Sequence, residues 1–98
     1  MYAKFTSIGA YVPKKKVTNF DLEKIVDTSN EWITQRTGIE SRYFVEEEVT
    51  SDLATKAGEM AIQRAGLQSK DIDMVILATI SPDYFAMPST ACVVAENL

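Results

Sequence analysis

The sequence predicts a layered α/β fold. Strand-like and helix-like segments alternate along the chain, which is the pattern of helices covering a sheet. The apolar run Met-Val-Ile-Leu-Ala-Thr at 74–79 has no polar alternation, as expected of a strand covered on both faces. The segment at 50–65 repeats apolar and small residues at helical spacing, as expected of a helix lying on a sheet.

Residues 3–12 are rich in β-branched and aromatic side chains and predict a strand that Pro13 ends. Lys14, Lys15 and Lys16 then read as a solvated loop. Thr18-Asn19 offers an N-cap, since a short side-chain oxygen can take a free backbone N–H of the first turn. Phe20, Leu22, Ile25 and Val26 share one face of a short helix expected over 20–26. Ser29 caps a second helix over 30–36. Glu31 sits in its first turn, where the helix dipole favours negative charge, and Gly38 suits the left-handed stop. A short extended piece over 40–45 follows.

Thr50 or Ser51 is expected to cap the longest helix, which carries Leu53, Ala57, Met60 and Ala61 on one face and ends at Gly66. After the run at 74–79 comes a loop with Pro82 and Pro88, and then a last helix capped by Ser89. The chain therefore reads as an incomplete domain over residues 1–98, because its last strand and helix have no following strand beside them.

The chain has 98 residues, 46% hydrophobic and 24% charged, with a net charge of −4. That balance argues against nucleic acid or an anionic membrane surface as a partner. No apolar run reaches the ~18 residues of a membrane span, and the start of the chain does not read as a signal peptide. With a single cysteine, these features indicate a cytoplasmic, reducing setting. There is no histidine, so the commonest general base and metal ligand are missing. No metal-ligand cluster, phosphate-cradling glycine loop or dinucleotide fingerprint is present.

Five segments carry a family resemblance. TNFDLEKIVDTSNEWI at 18–33 is very similar to the signature TN-x-DLE-x-x-VDTSDEWI of the β-ketoacyl-acyl-carrier-protein synthases III. RTGI at 36–39, SDLA at 51–54, ATISPD at 78–83 and PSTAC at 88–92 continue it in order. The resemblance implies the N-terminal part of a much longer protein, within the first half of a thiolase-like layered α/β/α fold. It further implies a homodimeric acyltransferase that starts fatty-acid synthesis by condensing acyl-CoA with malonyl-acyl-carrier protein. No cofactor is implied beyond the coenzyme A thioester, which is a substrate. The family's catalytic Cys, His and Asn lie downstream of the part resembled, so no catalytic residue is expected here. Two alternatives stay open: an inactive fragment or binding module, and a synthase III relative of secondary metabolism.

Trp32 and Arg36, four residues apart on a helix, form one surface patch. A flat ring with a guanidinium can stack on a base and pair with phosphate. The residues alone favour Trp32 as a core anchor and Arg36 as an ordinary surface cation, and only the resemblance reverses that preference. The resemblance implies that Trp32 stacks on the adenine of CoA, that Arg36 meets its phosphates and that Thr28 lies at the adenine edge, although Thr28 also suits a cap. Thr37 is adjacent and could add a hydroxyl contact. Met87 stands where the family often has Phe reaching into a partner subunit's acyl pocket, and it reads equally as an interface or core residue. Cys92 falls in the first turn of the last helix, but PSTAC is the family's non-catalytic cysteine. A buried, small apolar role is expected for it.

Overall fold

The computed structural model describes all residues from Met1 to Leu98. The elements run β1 (Lys15–Thr18), α1 (Asn19–Glu23), α2 (Asn30–Thr37), β2 (Ser41–Phe44), α3 (Thr50–Arg64), a single 3-10 turn (Ser69–Asp71) and α4 (Thr90–Asn97). The chain parts into two compact units, one of Val12–Glu47 and the other of Met1–Tyr11 with Glu48–Leu98.

The unit Val12–Glu47 is a two-stranded antiparallel ribbon with two helices. Val17 pairs with Arg42 and Thr18 with Ser41 in its ladder. The expected lysine loop is thus partly strand. β1 takes in Lys15 and Lys16, because ladder partners Phe44 and Tyr43 far along the chain decide the backbone here, rather than the composition of three lysines. Their side chains stay exposed on a ribbon edge. Val17 is the apolar anchor of the strand, 5% exposed.

Thr18 caps α1 in a full capping box. Its hydroxyl accepts from the Asp21 N–H at 3.2 Å, and the Asp21 carboxylate accepts from the Thr18 N–H at 2.9 Å. The helix is shorter than the expected 20–26. It ends at Glu23, and Phe20, Ile25 and Val26 stay exposed. The residue that α1 buries is polar Asn19. The apolar periodicity was therefore a poor guide to the inward face. α2 follows the expectation closely. Ser29 accepts from the Trp32 N–H at 3.1 Å, and Gly38 adopts φ 71° at the C-terminus.

In the unit of Met1–Tyr11 and Glu48–Leu98, α3 and α4 pack together. Val94 is 3% exposed, and Asn97 Nδ2 donates to Thr55 Oγ1 at 3.2 Å. The N-cap of α3 is Val49, not Thr50 or Ser51. The Asp52 carboxylate accepts the Val49 N–H at 2.9 Å, which frees the two hydroxyl residues for other partners. Thr50 Oγ1 donates to the Ser81 carbonyl at 2.6 Å. The Ser51 N–H donates to Asp83 Oδ1 at 3.0 Å, and the Asp83 N–H in turn donates to Thr90 Oγ1 at 3.0 Å. One aspartate thus ties the first turns of both helices together. Tyr11 adds a further link, donating to the Glu48 carboxylate at 2.6 Å. Lys56 pairs with the same oxygen and lies over the Tyr11 ring at 4.5 Å.

Neither long strand expected in this unit forms. Residues 3–12 have no ladder partner and rest on α3 instead. Ser7 Oγ donates to the Ala61 carbonyl at 2.6 Å, and Arg64 Nη1 donates to the Ile8 carbonyl at 3.0 Å. The run at 74–79 is likewise unpaired. Val75 and Leu77 are half-buried while Met74 and Ile76 are exposed, so this chain covers one face and not two. β-branched composition favours extended backbone, but a strand also needs a hydrogen-bonded neighbour. Cys92 corrects another expectation, for it is exposed. α4 turns Thr90 and Val94 inward at i and i+4, which leaves position 92 on another face.

Gly9 lies so close to α3 that a Cβ would fall 2.1 Å from the Ala57 carbonyl oxygen and 2.6 Å from the Ala61 nitrogen. Gly9→Ala is expected to lower the unfolding free energy by about 1–3 kcal/mol, read as a loss in denaturation midpoint. An unchanged midpoint would mean that the segment can lift off α3 freely.

The Thr18 backbone N–H, then its hydroxyl, hold the Asp21 carboxyl below its ordinary value of 3.8. A lowered folded-state value stabilises above the unfolded pKa and is lost as pH falls through the folded one. Wild-type stability relative to Asp21→Asn is therefore expected to be constant near neutrality and to shrink in acid below about pH 4. A pH-independent difference in denaturation midpoints would count against the cap.

Candidate functional site

α2 is short, and its two sides differ. Asn30, Ile33 and Thr34 fall at three- and four-residue spacing and face inward, with Ile33 only 9% exposed. Trp32 and Arg36 fall on the other side. Trp32 is 53% exposed, so it is not a core anchor. The Arg36 guanidinium carbon stands 4.9 Å from the Trp32 ring centroid. At an exposed site such a cation–π contact is worth ~0.5–1 kcal/mol, enough to bias two side chains toward one patch. Arg36 is also in the last turn of α2, where the helix dipole favours a cation.

Two side chains fix where this helix starts. Ser29 caps it, and Glu23 Oε1 accepts the Asn30 N–H at 2.7 Å. The preceding loop is folded back by a bond from the Thr28 N–H to the Val26 carbonyl at 3.0 Å. Asp27, Thr28, Ser29 and Trp32 then line an open hollow of about 320 Å³. Its chemistry is one apolar ring beside two hydroxyls and a carboxylate. A flat, nitrogen-rich group would find a stacking surface there and acceptors for its N–H edge, whereas an anion would meet Asp27. Anionic groups suit the Arg36 end.

Of the sequence-expected residues, Thr28 and Trp32 meet at the hollow and Arg36 joins through the ring contact. Thr37 is less open to a ligand than expected. Its hydroxyl donates to the Ile33 carbonyl at 2.7 Å and accepts from the Ile39 N–H at 3.0 Å, leaving one acceptor position. Met87 belongs to the other unit, where it is 82% exposed beside fully exposed Phe85.

Sequence reasoning passed over Asp27, which lines the hollow, and Asn19, which supports it. Asn19 was legible only as a neighbour of a cap. No cluster of three or more histidine, cysteine or acidic side chains is placed to hold a metal ion. No helix is long and apolar enough to cross a membrane. Cys92 has only the Ser89 hydroxyl beside its sulfur, at 3.1 Å.

Comparison with known proteins gives one consistent family. No family model matches the chain. The β-ketoacyl-[acyl-carrier-protein] synthase III of Campylobacter fetus is 67% identical over 96 residues, which is 98% of this chain and 29% of that protein. The synthase III of Sulfurovum sp. is 56% identical over 99 residues, again 29% of its length. Among solved structures, the 3-oxoacyl-[acyl-carrier-protein] synthase III of Aquifex aeolicus superposes with a TM-score of 0.89 at 49% identity. That match covers 95% of this chain and 30% of the other. The priming β-ketosynthase of the R1128 polyketide pathway superposes with a TM-score of 0.87 at 29% identity, covering 95% and 28%. The chain thus spans under a third of the length of the relatives it matches.

Ser29→Ala removes the oxygen that receives the Trp32 N–H and is expected to lower stability by about 1 kcal/mol. Equilibrium denaturation of both proteins reads this directly. No change would mean that Glu23 alone holds the start of α2.

Proposed function

The chain belongs, as a portion of under a third of its relatives' length, to the β-ketoacyl-acyl-carrier-protein synthase III family with its thiolase-like fold, and on that premise we propose that it forms part of the acyl-CoA-binding wall of such a synthase. The whole enzyme would be a cytoplasmic acyltransferase that condenses an acyl-CoA primer with malonyl-acyl-carrier protein. It would release coenzyme A and carbon dioxide and leave a 3-ketoacyl-acyl-carrier protein.

The observation that carries this reading is the exposed Trp32 ring with Arg36 beside it, next to a hollow edged by Thr28 and Asp27. Adenine has a flat face for the indole and an exocyclic amine for the hydroxyl and carboxylate acceptors. The phosphates of CoA are anionic and match the guanidinium, which pairs with them bidentately. Thr37, with one acceptor position left, can take a donor from the ligand but cannot give it a proton.

The acyl transfer itself falls to residues beyond these 98. A thiolate nucleophile needs an activating neighbour. This chain has no histidine, and Cys92 has only a hydroxyl beside it. Residues 1–98 are then the incomplete N-terminal part of a condensing-enzyme domain and are inactive alone. In a homodimer, Met87 on its exposed loop would contribute to the partner's primer pocket. The higher identity to fatty-acid synthases III than to the R1128 priming enzyme favours fatty-acid synthesis over polyketide priming.

Trp32→Ala in the full-length enzyme is expected to raise KM for acyl-CoA by roughly tenfold, from ~1–3 kcal/mol of lost base stacking. kcat should change little, because the ring is remote from the thioester. An unchanged KM would sink the adenine role.

A further inference from the structure

Asn19 is the one large side chain with no exposure at all, and it is polar. A buried amide is tolerated only when its hydrogen-bonding capacity is met. Here Nδ2 donates to Asn30 Oδ1 at 3.0 Å and to the Ile39 carbonyl at 2.7 Å, with Thr34 Oγ1 at 3.4 Å. Oδ1 accepts from Arg42 Nη2 at 2.7 Å. The Asn19 backbone N–H donates to the Glu40 carbonyl at 3.1 Å. Arg42 itself is held by its Nη1, which donates to the Val17 carbonyl at 3.3 Å.

The placement of these partners matters more than their number. Asn30 opens α2, Thr34 is one turn on, and Ile39 follows the Gly38 stop. Asn19 therefore grips both ends of α2 from its inner side, and β2 grips Asn19 through Arg42. Ile33 is the only buried apolar residue of that helix. Apolar packing is non-directional and would leave a short helix free to roll about its axis. Directional bonds at both ends fix the roll, and the roll sets where Trp32 and Arg36 point.

We infer that Asn19 is a positioning residue for the nucleotide end of the acyl-CoA substrate. It acts by fixing the rotation of α2, and so the direction of the Trp32–Arg36 stack, without touching the ligand. This rests on the adenine role proposed above for Trp32.

The test uses steady-state kinetics of the full-length enzyme with two thioesters: acyl-CoA, and the acyl-pantetheine that lacks the nucleotide. Asn19→Asp keeps the side-chain size and the oxygen facing Arg42 but removes both donors to α2. It is expected to raise KM for acyl-CoA roughly three- to tenfold, the scale of one or two buried hydrogen bonds, with kcat unchanged. KM for acyl-pantetheine should not move. Asn30→Ala, which removes one of the two grips with less disturbance, should shift KM the same way by less, and it serves if Asn19→Asp does not fold. In the double variant of Asn19→Asp with Trp32→Ala, the acyl-CoA KM should exceed that of Trp32→Ala alone by a smaller factor than Asn19→Asp raises it in the wild-type background, since Asn19 acts through that ring and only Arg36 remains to be misplaced.

A fall in kcat, or an equal rise in KM for both thioesters, would show general damage and overturn the inference. So would an unchanged acyl-CoA KM in both Asn19→Asp and Asn30→Ala while Trp32→Ala raises it. No effect of Trp32→Ala would instead remove the adenine role, and this inference with it.

Discussion

A buried amide with no exposure to solvent organises the unit Val12–Glu47. Asn19 sits where an apolar residue would ordinarily fill the space between a ribbon and two helices. An apolar side chain would accept many arrangements of its neighbours, while an amide accepts few, because each unmet donor or acceptor costs ~1–3 kcal/mol. α2 and the residue after its stop must therefore present their acceptors, and β2 the Arg42 donor, together or not at all. This makes the unit specific at small size, since its only buried apolar residues are Pro13, Val17 and Ile33. The side of α2 that carries Trp32 and Arg36 inherits that precision.

The other unit solves a similar problem with a carboxylate. Asp83 stands between the first turns of α3 and α4, accepting from Ser51 and donating its own N–H to Thr90. Ser51 and Thr90 are buried, at 3% and 4% exposure, and each has its partner. Helix N-termini carry unpaired N–H groups and partial positive charge, so an acceptor with negative charge suits the place. Short polar residues, not large apolar ones, thus fix the relative setting of these helices.

Much of the local structure was legible in the sequence, because local chemistry determines it. Thr18, Ser29 and Ser89 act as caps, and Gly38 and Gly66 take positive φ. These outcomes depend on one residue and its next few neighbours. The strands were not legible in the same way. Residues 3–12 and 74–79 have strand composition and no ladder, while Lys15–Thr18 has loop-like composition and a full ladder. Pairing depends on a distant segment, which composition does not report. Trp32, Arg36 and Thr28 could be named as candidates because ring, cation and hydroxyl have recognisable uses and the family motif points to them. Asn19 was hidden because its work is done by geometry in three dimensions, and its side chain type is common at turns. The family motifs become intelligible in this light: TN supplies the amide, RTGI its far acceptor, and SDLA, SPD and PST meet at one aspartate.

The stacking of Arg36 over Trp32 has an optical consequence. Trp32 is the sole indole among these 98 residues, half-exposed and with a cation held over its ring. Tyrosines do not absorb at the red edge of the protein ultraviolet band, so light taken up there by this stretch enters through one ring. The indole excited state shifts charge across the ring, and a nearby fixed guanidinium biases its emission energy. Any flat group that slid over that ring would alter the same emission. This part of the chain therefore carries its own built-in chromophore beside the hollow edged by Asp27, Thr28 and Ser29.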